Sequence, residues 1–184
     1  MSAGVQNLVI SLGAMQLARK IPFDDPETLN YVRIGYVASQ LVVLGVYYYI
    51  SAVIKKKNDQ TVLKYVEPAN PMSQDAPQLV TTTVRDYDLS ETSKLLRSTY
   101  MSLAMMAVMH FYFHFTQPLF VQGLMGIKNL YDAKPVKIHL FGAEAKDELK
   151  RPFKVASMFG AASGPQTDAA AIAEAEKRIG KKDD

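Results

Sequence analysis

The stretch Ile34–Ile54, IGYVASQLVVLGVYYYISAVI, decides the fold of this chain. It carries no charge, and Lys55, Lys56 and Lys57 follow it directly. As one helix, its 21 residues would measure about 31 Å, which matches the hydrocarbon thickness of a bilayer. We therefore expect a transmembrane helix here. The three lysines favour the cytosolic side for its carboxyl end, because basic residues resist translocation.

Two further uncharged runs, residues 2–18 and 98–127, predict additional helices. The second run contains 30 residues, and a single helix of that length would measure about 45 Å, well beyond the hydrocarbon thickness. We expect a break at Thr116-Gln117-Pro118, because proline lacks a backbone donor and disfavours helix in the residue before it. The sequence thus predicts helices at about 2–20, 26–54, 90–117 and 119–131.

These features predict an all-α integral membrane protein with three full transmembrane helices and a short fourth. The fourth helix, 119–131, would cross a thinned bilayer or be re-entrant. The membrane domain would occupy residues 1–131 and include a cytosolic loop at 55–97. Within that loop, residues 81–84 are β-prone.

The remaining residues, 132–184, predict a charged, partly disordered tail that lies in the cytosol. Residues 160–167 have the composition of a small-residue linker, and residues 168–179 predict one short solvated helix. The final Lys181-Lys182-Asp183-Asp184 resembles a dilysine retrieval signal, which is read only from the cytosolic side.

Composition and motifs exclude several classes of function. The 184 residues contain no cysteine, which rules out disulfides and thiolate metal sites. The formal net charge of +3 is too small and too evenly spread for a nucleic-acid footprint, so we expect no DNA partner. The sequence has no phosphate-cradling glycine loop, nucleophile elbow or zinc-protease motif. We therefore expect no enzyme activity and no cofactor.

Polar side chains recur at helical spacing on one face of the second and of the third expected helix. Polar groups at membrane depth are costly unless they face a partner or a water-filled cavity. We interpret the two faces as a water-accessible groove that contacts client proteins. The alternative is that they bond one another in a closed helix bundle. The groove residues are Arg33, Gln40, Tyr47 and Ser51 on the second helix, and Ser102, Met106, His110, His114 and Gln117 on the third.

Three methionines, Met101, Met105 and Met109, lie on the neighbouring face of the third helix. Methionine is flexible and suits surfaces that adapt to varied partners, so we expect these side chains to contact the apolar helix of a client. Ordinary core filling is the alternative. His110 and His114 lie one turn apart, but no acidic ligand is near them in that helix, and we expect no metal site.

Four sequence blocks closely resemble a fungal endoplasmic-reticulum family. That family is named both inorganic phosphate transport protein and component three of the SRP-independent (SND) targeting pathway. The blocks occur in the family's order along nearly the whole chain. They are Lys64–Pro68 (KYVEP), Thr82–Leu89 (TTVRDYDL), Val136–Gly142 (VKIHLFG) and Leu149–Lys154 (LKRPFK).

The resemblance implies targeting or insertion of membrane and secretory proteins at the endoplasmic reticulum, beside the Sec translocon and with other SND components as partners. We interpret the helices as an insertase-like core, similar in layout to the Oxa, YidC and GET insertases, which shelters client transmembrane segments from the lipid bilayer. Two alternatives stay open: inorganic phosphate transport or its regulation, and a non-catalytic scaffold subunit of the translocon or ribosome. Lys55, Lys56 and Lys57 are candidate contacts to a ribosome or another cytosolic partner.

Overall fold

The computed structural model describes residues 3–68, 77–154 and 164–180. The chain divides into two compact units that interleave along the sequence. Unit 1 comprises Met1–Val53 and Ser90–Gly142, and unit 2 comprises Ile54–Leu89 and Ala143–Asp184. The sequence-based division at residue 131 stays a prediction.

Unit 1 is built mainly from five helices. Helix α1 is packed against α4, and α5 follows α4 after a single residue. The first residues of α3 and the last of α2 belong to unit 2. The bounds are α1 Ala3–Ala18, α2 Pro26–Lys57, α3 Val84–Phe111, α4 Gln117–Asp132 and α5 Lys134–His139.

Helix α2 begins and ends at residues that satisfy its termini. The Asp25 carboxylate accepts hydrogen bonds from the Thr28 hydroxyl at 2.6 Å and from the Thr28 amide at 2.9 Å. These two bonds lower the pKa of Asp25, because they favour the ionised carboxylate. At the other end, lysines 55–57 lie in the last turn, where the helix dipole favours cations. Asn58 then adopts a left-handed φ of 47°, which ends the helix.

The core of unit 1 consists of two clusters between its helices. In the first cluster, Val43, Tyr47 and Ile50 of α2 pack against Leu130 of α4 and Val136 of α5. In the second, Tyr36 of α2, Met106 of α3 and Leu119 of α4 meet, with Val32 and Leu103 beside them. Helices α2, α3 and α4 therefore hold one another through side chains spread along α2.

Unit 2 contains a two-stranded antiparallel sheet of β1, Val62–Glu67, and β2, Gln78–Thr83. Val62 lies opposite Thr83, and Glu67 lies opposite Gln78. Helix α6, Ala169–Gly180, packs against both strands. Beside β1, Val66 and Gln166 exchange two backbone hydrogen bonds of 2.9 Å, which fix the chain just before α6 to the sheet.

The prediction of an all-α protein with three full transmembrane helices is wrong. Among the described residues, only α2 is long and apolar enough to cross a membrane by length and composition. Helix α1 has 16 residues and measures about 24 Å, short of the roughly 30 Å of hydrocarbon. The sheet in unit 2 also contradicts an all-α fold. A multi-pass topology is therefore not supported.

The third predicted span fails because α3 ends at Phe111, six residues before the predicted end at residue 117. Helix α3 ends at Phe111, so only residues 98–111 of that run are helical in α3, about 21 Å. His114 has a left-handed φ of 56° in the turn that follows. Helix α4 then starts at Gln117 with Pro118 in its first turn, close to the expected break. The absence of charge predicted the apolar segment but not where its helix ends.

In the expected tail, the short helix at 168–179 corresponds to α6 at Ala169–Gly180. It packs on the sheet of unit 2, and most of its described residues are exposed, in line with the solvated helix that the sequence predicted. The expected linker at 160–167 is described only from Gly164 onward, and the retrieval signal at 181–184 lies outside the described residues.

Candidate functional site: an apolar exterior, a groove and a polar contact in unit 1

The outer surface of unit 1 is rich in large apolar side chains. Along α2, Ile34 and Leu41 are each 65% exposed, and on α3 Met101 has the same exposure. Helix α1 exposes its leucines and buries Ala14 and Ala18. Isolated exposed apolar residues are ordinary, but a continuous apolar exterior indicates a lipid or protein partner. Exposed apolar residues of unit 1 include Val5, Leu8, Val9, Leu12, Val37, Val42, Met105, Val108, Leu124 and Ile127.

An open groove of about 400 Å³ lies between the amino-terminal halves of α2 and α4. A Cβ added at Gly35 would meet no atom within 4 Å, so the groove is empty beside this position. Tyr36, which is 8% exposed, borders the groove and joins the core cluster. The lining is apolar except for a few hydroxyl groups: Thr28, Tyr31, Val32, Gly35, Tyr36, Ser39, Leu119, Phe120, Gly123, Leu124 and Ile127.

Small residues let α4 approach α2 closely at the end of this groove and just beyond it. A Cβ at Gly126 would lie 3.1 Å from the Gln40 amide nitrogen, and one at Gly123 would lie 3.5 Å from the Ser39 hydroxyl. Such small-residue contacts are typical of helices that pack by close backbone approach in lipid.

One hydrogen-bonded contact joins the two predicted polar faces. Arg33 Nε donates to His110 Nε2 at 3.0 Å, so Nε2 is the acceptor of the imidazole. His110 Nδ1 therefore carries the proton and donates to the Phe115 carbonyl at 3.1 Å. Arg33 also donates to the Asn30 side-chain oxygen at 3.4 Å. The neutral histidine thus ties α2 to the turn between α3 and α4.

The remaining residues of the predicted groove divide into buried and exposed members. Tyr47, at 3% exposure, and Met106, at 1%, are part of the core, and Gln40 is buried. Ser51 is half-buried and donates to the Tyr47 carbonyl at 2.8 Å. The exposed members are Arg33, Ser102, His114 and Gln117. In this structure the two faces therefore meet at His110 and at Met106, and a groove between them requires that α2 and α3 separate.

The other predicted contact residues are accessible. Met101 and Met105 are exposed on α3, and Met109 is half-buried. Lys55, Lys56 and Lys57 are exposed at the end of α2.

Charges at the end of α4 form a small network. Lys128 pairs with Asp132 one turn later, and the Lys137 ammonium lies 3.6 Å from the same carboxylate. The hydrogen bond from Lys128 is the main reason that the pKa of Asp132 lies below its usual value. Both cations thus have an anionic partner within the protein.

A second cluster, in unit 2, was not found by sequence reasoning. Arg151 forms a two-pronged ion pair with Asp88, with both nitrogen–oxygen distances at 2.6 Å, and the Asp88 side chain is 1% exposed. The Tyr87 hydroxyl accepts a 2.7 Å bond from the Phe153 amide, and its ring lies edge-on to Tyr65 and Phe153. Three of the four blocks that carry the family resemblance supply these residues. They build a core, whereas the sequence showed only mixed charge.

Within residues 3–68, 77–154 and 164–180, no three His, Asp or Glu side chains are grouped as a metal site. In the part of the chain that the structure describes, fold and site together define a small, mainly helical protein with one candidate membrane span, an apolar exterior on unit 1 and a sheet-containing unit 2.

The chain belongs to the Pho88 family, described as phosphate transport, whose model matches residues 1–182. This confirms the family expected from the four sequence blocks. No solved structure gives a significant match.

Curated relatives cover nearly the whole chain. "SRP-independent targeting protein 3" of Saccharomyces cerevisiae is 45% identical over 96% of this chain and 95% of its own length. A Schizosaccharomyces pombe protein named as a homolog of it is 39% identical over 93% of this chain and 89% of its own length. An uncharacterized protein of the same yeast is 43% identical over 90% of this chain and 83% of its own length.

Proposed function

We propose that this protein takes part in SRP-independent targeting of membrane and secretory proteins to the endoplasmic reticulum, without catalysing bond chemistry. Unit 1 would lie in the membrane through α2 and present an apolar surface to client transmembrane segments. The names of two relatives support the targeting role. The observation that carries the client-binding role is the apolar exterior of unit 1, where Met101 and Met105 stand exposed on one face of α3.

The methionine face suits clients of varied sequence. A client helix must be held without selection for one side-chain pattern, and flexible thioether side chains adapt to different shapes. Ser102 is exposed beside Met101 on the same helix and offers a hydroxyl to a polar flank of the client. We place the client contact at this face of α3.

In this proposal, the predicted polar groove forms only when α2 and α3 separate. Gln40, Tyr47 and Met106 are buried, so they would reach a client only after the bond between Arg33 and His110 breaks. A client that binds the separated helices better than the closed ones would shift the population toward the open state.

The partners follow from the same proposal. Lys55, Lys56 and Lys57 would face the cytosol and contact a ribosome, since basic residues beside a span favour that side and attract phosphate. The Sec translocon and other SND components would receive the client next.

Photocrosslinking to stalled nascent membrane proteins tests the client contact. A photoreactive residue at Met101 should crosslink to the client, whereas the same residue at Leu41, matched at 65% exposure but on α2, should react with lipid. Equal client crosslinking at both positions would remove the case for a specific face. No client crosslinks, with ribosome binding intact, would favour a scaffold subunit.

Phosphate transport is the second candidate, because the family description names it. Lys128 is paired with Asp132, whereas Arg33 is exposed, donates only its Nε to the neutral His110 and keeps guanidinium N–H groups that could bind an anion. Phosphate uptake into vesicles that contain the purified protein would establish this candidate, and uptake no greater than in empty vesicles would exclude direct transport.

A further inference from the structure

The groove between α2 and α4 differs from the client face on α3 in shape and in lining. It follows α2 from Thr28 to Ser39, a distance of about 16 Å at the helical rise per residue. The hydrocarbon core of a bilayer is about 30 Å thick, so one leaflet measures about 15 Å. Residues 28–33 precede the uncharged stretch Ile34–Ile54 and residues 34–39 fall within it, so the groove would start at the membrane–water interface and reach into one leaflet.

The volume of the groove limits what can enter it. The groove holds about 400 Å³ over about 16 Å. An α-helix with its side chains is about 10–12 Å across, so a segment of that length would occupy roughly 1,300–1,800 Å³. A single hydrocarbon chain fits the groove, and a whole client helix does not.

Thr28 and the 73%-exposed Tyr31 line the end of the groove at the start of α2, and Tyr is enriched at membrane–water interfaces. At the other end, the Ser39 hydroxyl already donates to the Tyr36 carbonyl at 2.7 Å. The Tyr36 hydroxyl is buried and has no hydrogen-bond partner among the described residues. Because helical side chains lean toward the amino terminus, this hydroxyl lies on the Thr28 side of its own Cα. A buried donor without a partner is costly, and a ligand carbonyl there would satisfy it.

The groove is also continuous with the apolar exterior of unit 1. Leu124 and Ile127 both line the groove and are exposed on the outer surface. A chain in the surrounding lipid can thus enter sideways, without crossing a polar surface.

We propose that the groove between α2 and α4 binds one acyl chain of a bilayer phospholipid, with an ester carbonyl of that lipid accepting a hydrogen bond from Tyr36. The apolar walls hold the chain, and Gly35 leaves open space beside it. This inference rests on the membrane location of unit 1 in the proposed function, but not on client binding.

Matched glycine variants test the proposal in the full-length protein. Gly35→Leu places a side chain into the groove, and a Cβ at that position meets no atom within 4 Å. Gly45→Leu is the control, since Gly45 lies on the same helix, also meets no atom within 4 Å, and does not line the groove. Both proteins are expressed in membranes that contain a phospholipid with a photoactivatable acyl chain.

Wild type and Gly45→Leu should crosslink the lipid to peptides of α4 that contain Phe120 and Leu124. Gly35→Leu should lower that yield on the order of tenfold, because the space beside position 35 cannot hold both the leucine side chain and the acyl chain of the lipid. Tyr36→Phe should lower the yield less and leave the crosslinked peptides the same. An equal lipid-crosslinking yield in Gly35→Leu and wild type would overturn the proposal. So would the finding that a stalled client, and not the lipid, crosslinks to the residues of the groove. Client crosslinking at Met101 is a separate measurement, so the lipid proposal and the client proposal can each fail without the other.

Discussion

The two units of this protein differ mainly in what they expose. Unit 1 buries mostly apolar side chains together with Gln40 and His110, while many large apolar residues such as Leu41 stand exposed. Unit 2 buries aromatic rings, and its buried Asp88 is paired with Arg151. In water, an extensive apolar surface is unfavourable, whereas a buried charge is tolerated when it is paired. In lipid, apolar side chains face outward and polar side chains are hydrogen-bonded inside the protein. This difference is the one expected if unit 1 lies in lipid, as the proposed function has it, and unit 2 lies in water.

The comparison also explains why mean composition is uninformative here. A hydrophobic content of 48% is ordinary for a water-soluble protein of 184 residues. That average combines a unit with an apolar surface and a unit with a polar one. Their separate stabilities therefore depend on different interactions, and variants in each should respond differently.

The largest expected effect is the loss of the ion pair in unit 2. Arg151→Met leaves the buried Asp88 carboxylate without its two-pronged partner, and breaking such a buried pair costs about 3–5 kcal/mol of unfolding free energy. Hydrogen exchange of the β1 and β2 amides should accelerate accordingly. The double variant Asp88→Leu/Arg151→Met should recover much of the loss, because it leaves no unpaired buried charge.

Arg178→Met is the matched control for that experiment. Arg178 also contacts an acidic partner at 2.7 Å, Glu174, but both side chains are more than 60% exposed. Exposed pairs of this spacing contribute about 0.3–0.5 kcal/mol, so exchange of the sheet amides should hardly change. If both arginine variants behave alike, the Asp88 pair does not define the interior of unit 2.

An arginine introduced on the exterior of each unit tests whether unit 1 faces lipid and unit 2 faces water. Leu41→Arg on α2 should cost about 2.5–3.5 kcal/mol if this face lies at the centre of a membrane, because an unpaired charge there is poorly solvated. Val62→Arg on β1 is matched at 65% exposure and should change stability by less than about 0.5 kcal/mol. Membrane insertion efficiency and resistance to alkaline extraction measure the first effect, and thermal unfolding measures the second. Equal, small effects would contradict a lipid-facing α2.

How much the sequence could predict differs between the two units. The uncharged stretch Ile34–Ile54 predicted the candidate span, because hydrophobicity and length are local properties. The turn at His114 was missed, since a left-handed residue in an apolar run leaves no compositional signal. The sheet was foreseen only as a β-prone piece at 81–84, because its pairing partner lies across a long connection.

The candidate sites show the same limit. Helical periodicity placed Arg33 and His110 on facing sides of two helices, and the structure joins them by a hydrogen bond. The groove between α2 and α4 could not be predicted, because it depends on which helices become neighbours and on glycines that look unremarkable in sequence. The pair Asp88 and Arg151 is separated by 63 residues, and only the fold brings it together.

The smallest expected effect concerns the polar contact inside unit 1, which is the counterpart of the ion pair in unit 2. Because the chain has no native cysteine, Met105→Cys and Met106→Cys give single probes at neighbouring positions of α3, where Met105 is 62% and Met106 is 1% exposed. A membrane-permeant maleimide should label the first rapidly and the second slowly. Adding His110→Ala removes the acceptor for Arg33 and costs about 1–3 kcal/mol, which should raise labelling of Met106→Cys by about 5- to 150-fold as α2 and α3 separate more often. His114→Ala, a change at an exposed histidine near the end of the same helix, should leave that rate unchanged. Unaltered labelling after His110→Ala would show that apolar packing around Met106, and not the histidine, keeps the two helices closed.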